Sequence, residues 1–299
     1  LQVESNLKID DSTFHSKFAA FRVNGMGDDT VIIKHHFGLP DLMGEELGKE
    51  LYRKPPWAIY LKDGIYTYLG IASNEDDSTL HRVVKISADH ACLVIYNDKV
   101  REDIWRAGDL QSLTMFPSDQ ILLARLLADR RGCILHSSGV IVNGAGILFV
   151  AHTGVGKSTA MDLLVSAGEN CETSVQHLCE DRNIVRRIDV GWQVYGSWNH
   201  YDNPRVSSEN APLRMICFLE QANENTLTKI NDRREITLHI LECIVKPFVT
   251  VDWWEKIFEV IDLLSQEVPC YLMRFDKSGD IALEIAKMTE RLGKSELTL

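Results

Sequence analysis

The sequence lacks three features: an uninterrupted apolar stretch of about 18 residues, a Cys-x-x-Cys pair and an excess of positive charge. The first absence excludes a membrane-spanning helix, and the N-terminal residues show no basic and apolar signal peptide. The seven cysteines are scattered, which is typical of reduced core thiols. With 32 basic against 43 acidic residues, the net charge of −11 argues against binding to a nucleic-acid backbone. We expect a soluble cytoplasmic protein without nucleic-acid or membrane partners.

The composition is that of a globular protein. Hydrophobic residues make up 45% and charged residues 25% of the 299 residues, which excludes disordered, collagen-like and low-complexity chains. The length suffices for one large domain or two ordinary ones. We find no internal repeat.

The first part of the chain predicts a β-rich region. Residues 57–62 and 65–69 flank Asp63 and Gly64, and an Asp-Gly pair tolerates the positive φ angles of a type I′ hairpin turn. Residues 80–86 and 91–96 predict a second strand pair, whereas residues 1–30 predict an irregular start. We interpret His35 and His36 as a surface pair, because no third metal ligand has usable spacing. Residues 1–116 are therefore assigned to a β-rich N-terminal region of unknown role.

Strands and helices alternate after a domain boundary that we place at Phe116 and Pro117, which predicts an α/β domain over residues 117–299. Three predicted helices cover residues 119–131, 157–168 and 280–292, and the first of them is capped by Ser118 and stopped by Gly132. A further predicted helix is capped by Asp252, and its inward face consists of Trp253, Ile257, Val260 and Leu264. The predicted strands are 133–142, 146–151, one ending at Cys179, a hairpin around residues 189–191, 213–219 and 270–275.

An apolar strand, residues 147–150, runs into Ala-His-Thr-Gly-Val-Gly-Lys-Ser (151–158) and then into an apolar helix. This order is typical of a phosphate-binding loop, although Ala151 replaces the usual first glycine. The loop amides and the helix dipole would attract phosphate. We expect Lys157 to be solvated without nucleotide and to reach the β- and γ-phosphates of ATP, and Ser158 to join a Mg²⁺ shell. The predicted nucleotide-binding residues are Thr153, Gly154, Val155, Gly156, Lys157, Ser158 and Thr159.

Other classes of phosphate-loop protein have signatures that this sequence lacks. The Asn/Thr-Lys-x-Asp element of GTPases does not occur after Lys157, and neither does the Leu-Ser-Gly-Gly-Gln signature of transporter ATPases. Gly293, Lys294 and Ser295 repeat the end of the loop pattern, but they follow a predicted helix, so we interpret Gly293 as a helix cap.

Polar residues near the loop are candidates for chemistry. His136 lies on the strand before the loop strand, and Glu180 and Asp181 follow a later strand, where carboxylates can hold Mg²⁺ or accept a hydroxyl proton. His152 either contacts phosphate or fills the turn. His200 and Arg205 are weaker candidates for contact with the acceptor. We interpret the adjacent pair Trp253 and Trp254 as core residues.

These motifs resemble those of the HPr kinase/phosphorylase family and its relatives, whose kinase domain shares the fold of ATP-dependent phosphoenolpyruvate carboxykinase. The matching segments are residues 135–139, 154–159 and 180–182, and the resemblance covers roughly residues 117–230. It implies that His136 and Glu180 act in proton transfer and that Asp181 and Ser158 hold Mg²⁺. Glu180 stands where the family has Asp, and the family segment Glu-Val-Arg-Gly-Leu-Gly is missing. These departures put HPr in doubt as the acceptor and put phosphorolysis in doubt too.

The leading hypothesis is an ATP-dependent kinase that transfers the γ-phosphate to a hydroxyl of a protein, peptide or small molecule. Lys157 and Mg²⁺ would neutralise phosphate charge, and Glu180, with His136 nearby, would take the hydroxyl proton. The alternative is a nucleotide-binding regulatory or scaffold protein without phosphotransfer. A carboxykinase is disfavoured, since no arginine motif that could clamp a carboxylate accompanies the loop. Homo-oligomerisation is left open.

Overall fold

The structure is a computed structural model that describes residues 1–25, 27, 29–71, 80–115, 119–170, 174–198, 205–247, 250–276 and 278–295. The chain divides into two units, Leu1–Asp119 and Gln120–Leu299. The boundary predicted at Phe116 and Pro117 and the helix cap predicted at Ser118 lie outside the described residues. No helix within the described ranges combines the length and hydropathy that a membrane span requires.

The described part of the N-terminal unit contains one mixed sheet of seven strands in the order β1-β2-β7-β6-β5-β4-β3. Neighbouring strands β1, β2 and β7 are parallel, and the other pairs are antiparallel. The elements are β1 (Gln2–Ser5), a 3₁₀ helix (Ser16–Phe21), β2 (Ile32–Phe37), β3 (Lys49–Lys54), β4 (Trp57–Lys62), β5 (Ile65–Gly70), β6 (Arg82–Ile86), β7 (Cys92–Asn97) and α1 (Lys99–Ala107).

The predicted hairpin is confirmed. Asp63 and Gly64 have φ angles of +50° and +79° between β4 and β5, as a type I′ turn requires. The prediction of an irregular start over residues 1–30 is wrong, because β1 pairs with β2 and a 3₁₀ helix follows. Sequence periodicity misses β1 because its pattern is short and its partner lies about 30 residues further along the chain.

His35 is completely buried, so its prediction as a surface residue is wrong, whereas the neighbouring His36 is partly exposed. Its Nε2–H donates to the main-chain oxygen of Leu113 at 2.8 Å, and the amide of Asn97 lies 3.3 Å from Nδ1. The ring of Trp105 on α1 covers the imidazole at 4.9 Å between centroids. The sequence analysis did not predict α1, and burial of His35 depends on this helix.

We expect the stability of the N-terminal unit to fall when His35 is protonated. Burial is the main reason that the pKa of His35 is lowered to about 4 from its usual 6.5, and the positive charge of Arg82 adds to the shift. The unfolded chain therefore binds the proton more readily between pH 6.5 and pH 4, and stability is lost as the pH falls through that range. The loss should amount to about 2 kcal/mol between pH 7 and pH 5.

Urea unfolding of the full chain at both pH values, followed through the amide signals of β2, measures this loss. A His35→Gln variant is the control, because glutamine does not titrate and should show a pH dependence smaller by the same amount. An equal pH dependence in the two proteins would contradict the prediction.

The C-terminal unit is a mixed α/β unit whose described strands form a single sheet. Its elements are α2 (Asp119–Ala128, of which Asp119 belongs to the first unit), β8 (Gly132–Val142), β9 (Ala145–Val150), α3 (Lys157–Asn170), β10 (Val175–His177), β11 (Arg182–Ile188), β12 (Gly191–Tyr195), β13 (Asn210–Gln221), β14 (Thr226–Lys229), α4 (Arg233–Cys243), α5 (Val251–Glu267), β15 (Cys270–Phe275) and α6 (Asp280–Ser295).

Two long strands, β8 and β13, change partners along their length. The first half of β8 pairs with β11, whereas its second half lies between β10 and β9. Likewise, β13 begins beside β12 and ends between β9 and β15, parallel to both. The carboxyl ends of β9, β13 and β15 therefore meet at one edge of the sheet, which is where ligands bind in open α/β sheets.

Helices cover both faces of the sheet around β9. Ile147 and Phe149 pack into the core that includes residues of α3 and α6. Leu148 and Val150 point to the opposite core, which includes residues of α4 and α5. All four are at most 1% exposed. A strand buried on both faces explains why this segment is continuously apolar rather than alternating.

Most predicted elements of this unit are present with shifted ends. Strand β15, the hairpin of β11 and β12, and the inward face of α5 are confirmed. Three of the four predicted capping residues are not caps. Helix α2 ends at Ala128 and Gly132 opens β8. Thr250 rather than Asp252 is the cap of α5, and α6 continues past Gly293. Trp253 is buried and Trp254 packs against the same core, as predicted. Five described cysteines are buried free thiols: Cys133, Cys179, Cys217, Cys243 and Cys270.

Candidate functional site

The loop of residues 151–156 connects the end of β9 to the start of α3. Gly154 and Gly156 have φ angles of +87° and +111°, which favour glycine. A side chain at Gly156 would also approach the Phe275 ring to 3.0 Å. Both glycines are therefore required by the turn itself. The first residues of α3 have no intrahelical acceptors for their amides, so the loop ends at a positively polarised helix terminus.

Lys157 is buried, contrary to the expectation that it is solvated. Its Nζ donates to the main-chain oxygens of Ala151 at 2.9 Å and of His152 at 3.1 Å, so the side chain folds back over its own loop. Burial lowers the pKa of Lys157, while the Asp181 carboxylate opposes that shift.

The acid pair lies in a β-bulge and not at the end of a strand. His177 of β10 pairs with Val140 of β8, and Arg182 of β11 pairs with His136. Between these two pairs, the chain from β10 to β11 therefore contains one residue more than the facing stretch of β8. This extra residue defines a bulge over residues 178–181. Because β10 ends at His177, the predicted strand end at Cys179 is wrong. Bulges redirect side chains, and this one carries both carboxylates of the candidate site.

His136 and Asp181 form a polar pair in the site. Their Nε2 and Oδ1 atoms are 3.2 Å apart, and the side chains are 23% and 13% exposed. Burial tends to raise the pKa of Asp181, but the hydrogen bond from His136 and the charges of Arg182 and Lys157 outweigh it and lower the pKa. Asp181 is therefore a stable anion at neutral pH. The contact also orients the imidazole ring, with Nε2–H donating to the carboxylate.

Glu180 contacts a different part of the molecule. Its Oε2 lies 3.8 Å from Nε of Arg205, and Arg205 also pairs with Asp162 of α3. The main-chain oxygen of Glu180 accepts a hydrogen bond from Ser138 Oγ at 2.7 Å. Arg205 is thus adjacent to the acid pair, as its prediction as an acceptor contact requires. His200 lies outside the described residues.

The remaining predicted residues surround the loop. Thr153 and Ser158 are exposed, and Thr159 and Val155 are partly exposed. His152 is 64% exposed, with Nε2 3.6 Å from Oε2 of Glu242. This places the His152 side chain beside α4.

The donor set suits Mg²⁺ that arrives with a nucleotide. Among the described residues, no group of three or more His, Cys, Asp or Glu side chains could hold a metal by itself. Asp181 supplies an ionised hard oxygen and Ser158 an exposed hydroxyl at the helix start. Mg²⁺ uses few protein ligands, phosphate oxygens and water in such sites, so these residues fit the ion.

The sequence analysis missed several residues that shape the site, above all Asn183. This side chain is completely buried on β11 and bonds to both sides of the bulge. A signal was available, since Asn183 is a polar residue two positions after the acid pair and directly before the apolar pair Ile184 and Val185. Glu242 and Asp162 were missed as well, because their contacts join segments far apart in sequence.

Comparison with solved structures finds a likeness to the HPr(Ser) kinase/phosphatase from Coxiella burnetii. The TM-score is 0.34 and the sequence identity 11%, over 55% of this chain and 94% of that chain. No family model matches the sequence, and no curated protein matches it either. A likeness at this TM-score carries no argument, so the proposals below rest on the site alone.

Proposed function

We propose that the C-terminal unit is an ATP-dependent kinase that transfers the γ-phosphate to a hydroxyl group, with the phosphoenolpyruvate-carboxykinase-like fold that the sequence motifs imply. The observation that carries the proposal is the 3.2 Å contact of Asp181 with His136, which lies on the strand β8 that pairs directly with the loop strand β9. A loop that only bound nucleotide would not need a carboxylate–histidine pair beside its strand. Because ATP is the phosphate donor, we place the reaction in the cytoplasm.

The chain's own residues would divide the work as follows. The amides at the start of α3 and the Lys157 ammonium bind the β- and γ-phosphates. Ser158 and Asp181 are the residues that would hold Mg²⁺, which supplies charge neutralisation on the phosphates when bound. His136, oriented by Asp181, positions the acceptor hydroxyl.

In the transfer step, the acceptor oxygen bonds to the γ-phosphorus as the bond to the bridging oxygen of ADP breaks. Glu180 receives the hydroxyl proton late in this step, as expected for a loose transition state. His136 is the second candidate for the proton, since its Nδ1 is free of the Asp181 contact that holds Nε2. The identity of the acceptor follows from neither residue.

Incubation of the purified chain with γ-labelled ATP and total cell lysate tests the proposal. A kinase transfers label to an acceptor, and in its absence slowly releases labelled phosphate to water. If the chain binds ATP but neither labels an acceptor nor hydrolyses the nucleotide, it is a nucleotide-binding regulatory protein and the proposed function is wrong.

We expect Asp181→Asn to weaken the effect of Mg²⁺ on nucleotide binding. Asparagine can still accept the hydrogen bond from His136, but it lacks the negative charge that attracts a divalent cation. The gain in affinity that Mg²⁺ gives should therefore be smaller by about 10-fold or more. Calorimetric titration with a non-hydrolysable ATP analogue, with and without Mg²⁺, measures this gain.

The control is Asp129→Asn, which removes a carboxylate that pairs with Lys256 instead of facing the loop. It should respond to Mg²⁺ like the parent. An equal response in Asp181→Asn would reject Asp181 as a ligand, whether direct or through water.

A further inference from the structure

The bulge that carries Glu180 and Asp181 is held by side chains as well as by main-chain hydrogen bonds. The amides of Leu178, Gly139 and Ser137 bond across it at 2.8–2.9 Å. The extra residue leaves this part of the sheet without a regular ladder. Its shape therefore depends on additional contacts, and the structure has two of them.

The first contact is the amide of Asn183. Its Nδ2 donates to the main-chain oxygen of Ser137 at 2.8 Å on one side of the bulge and to that of Cys179 at 3.0 Å on the other. It also lies 3.1 Å from Ser137 Oγ. All three oxygen atoms accept hydrogen bonds from Nδ2. The NH₂ group of the amide, and not its oxygen, must therefore face them. Both Asn183 and Ser137 are fully buried, which makes these bonds strong.

The second contact is Ser138, whose Oγ donates to the Glu180 main-chain oxygen at 2.7 Å. Ser138 is also fully buried. It bonds directly to the residue whose side chain is the predicted proton acceptor. A hydrogen bond from β8 thus fixes the position of the Glu180 main chain.

Gly139 makes room for the Asn183 amide. A Cβ atom at position 139 would lie 2.5 Å from Asn183 Oδ1 and 2.8 Å from Cγ. Any residue other than glycine would therefore push the amide out of the bulge. Each residue of segment 136–139 thus has a different role. His136 contacts Asp181, and Ser137 accepts hydrogen bonds from Asn183. Ser138 donates to Glu180, and Gly139 leaves space for the Asn183 amide.

We propose that Asn183 is a positioning residue for phosphate transfer, which acts by holding the bulge so that Asp181 faces His136 and Glu180 faces Arg205. This rests on the proposed function. Asn183 touches neither nucleotide nor acceptor in this role. Misplacement of a reacting group by about 1 Å can cost roughly 100-fold in rate.

The test compares Asn183→Ala with the parent in two measurements. ATP affinity measured by calorimetry without Mg²⁺ should stay within about twofold, because the loop amides and Lys157 belong to the loop and the start of α3 and not to the bulge. The turnover number for ATP hydrolysis by water should fall by about 10- to 100-fold. Gln193→Ala, which removes another buried amide, on β12, is the control and should leave turnover per folded molecule unchanged.

A double variant separates positioning from stability. Gly139→Ala alone should destabilise the unit, since it collides with Asn183. Adding Asn183→Ala removes the collision and should restore stability while turnover stays low. If the double variant regains parental turnover, Asn183 is only structural and the proposal is wrong. If Asn183→Ala does not fold, Asn183→Ser provides the same comparison with a milder change, and unchanged turnover there would also overturn the proposal.

A crystal structure of Asn183→Ala gives a readout that does not depend on activity. The distance between His136 Nε2 and Asp181 Oδ1, 3.2 Å in the parent, should lengthen while the phosphate loop keeps its conformation. An unchanged distance overturns the proposal. If the parent neither labels an acceptor nor hydrolyses ATP, the proposed function fails, and this distance still decides whether Asn183 positions the acid pair.

Discussion

In a Lys157→Met variant, we expect the affinity for ATP to fall by about 10- to 100-fold and phosphate transfer to fall by at least about 100-fold. The ammonium group now bonds to the main-chain oxygens of Ala151 and His152. Bound phosphates would replace these neutral acceptors with charged ones, and hydrogen bonds between charged partners are roughly twice as strong. Methionine keeps the buried stem, so the variant should fold.

Calorimetric titration with ATP and labelled-phosphate release measure the two losses. The control is Lys294→Met, which changes the lysine in the second Gly-Lys-Ser sequence, on α6. That variant should bind ATP like the parent, because its Gly-Lys-Ser follows no strand. Unchanged ATP affinity in a folded Lys157→Met protein would contradict the assignment of this loop as the phosphate-binding loop.

The second large effect is expected for Glu180→Gln. Glutamine keeps the size of the side chain but cannot accept the hydroxyl proton, so turnover should fall by about 10²- to 10⁴-fold with little change in ATP affinity. The carboxylate lies 3.8 Å from Nε of Arg205. Transfer to an acceptor, or slow hydrolysis by water, provides the rate.

His136→Gln is the companion variant. It removes the ring but retains an amide that can reach Asp181, so a smaller loss is expected if the histidine only positions the acceptor. Parental turnover in Glu180→Gln combined with a large loss in His136→Gln would move the proton to His136. Parental turnover in both would leave the step without a base among these residues.

The strand–turn–helix geometry of β9, the loop and α3 could be predicted because its signals are local. An apolar strand, a turn that needs glycine and a helix occur in succession within about 20 residues. Each of them can be predicted from residues that are neighbours in sequence. The same holds for the hairpin at Asp63 and Gly64. The solvation of Lys157 could not be predicted, because it depends on where the loop carbonyl groups point.

The bulge could not be predicted for a different reason. It is defined by comparing the register of β8 with that of β10 and β11, and a shift of one residue leaves no trace in composition or periodicity. Asn183 and Gly139 are 44 positions apart, so their steric match appears only after the strands have paired. His35 is similar, because its burial depends on α1 and on Trp105.

Strand β8 sets a fixed width for the candidate site. Ser137 pairs with Val150, the last residue of β9, and on its other edge its amide bonds to Asp181. The beginning of the phosphate loop and the acid pair are thus separated by two strand spacings, about 10 Å. This separation cannot change without breaking sheet hydrogen bonds. Any change in the width of the candidate site must therefore come from side chains or loops and not from movement of its two backbone edges.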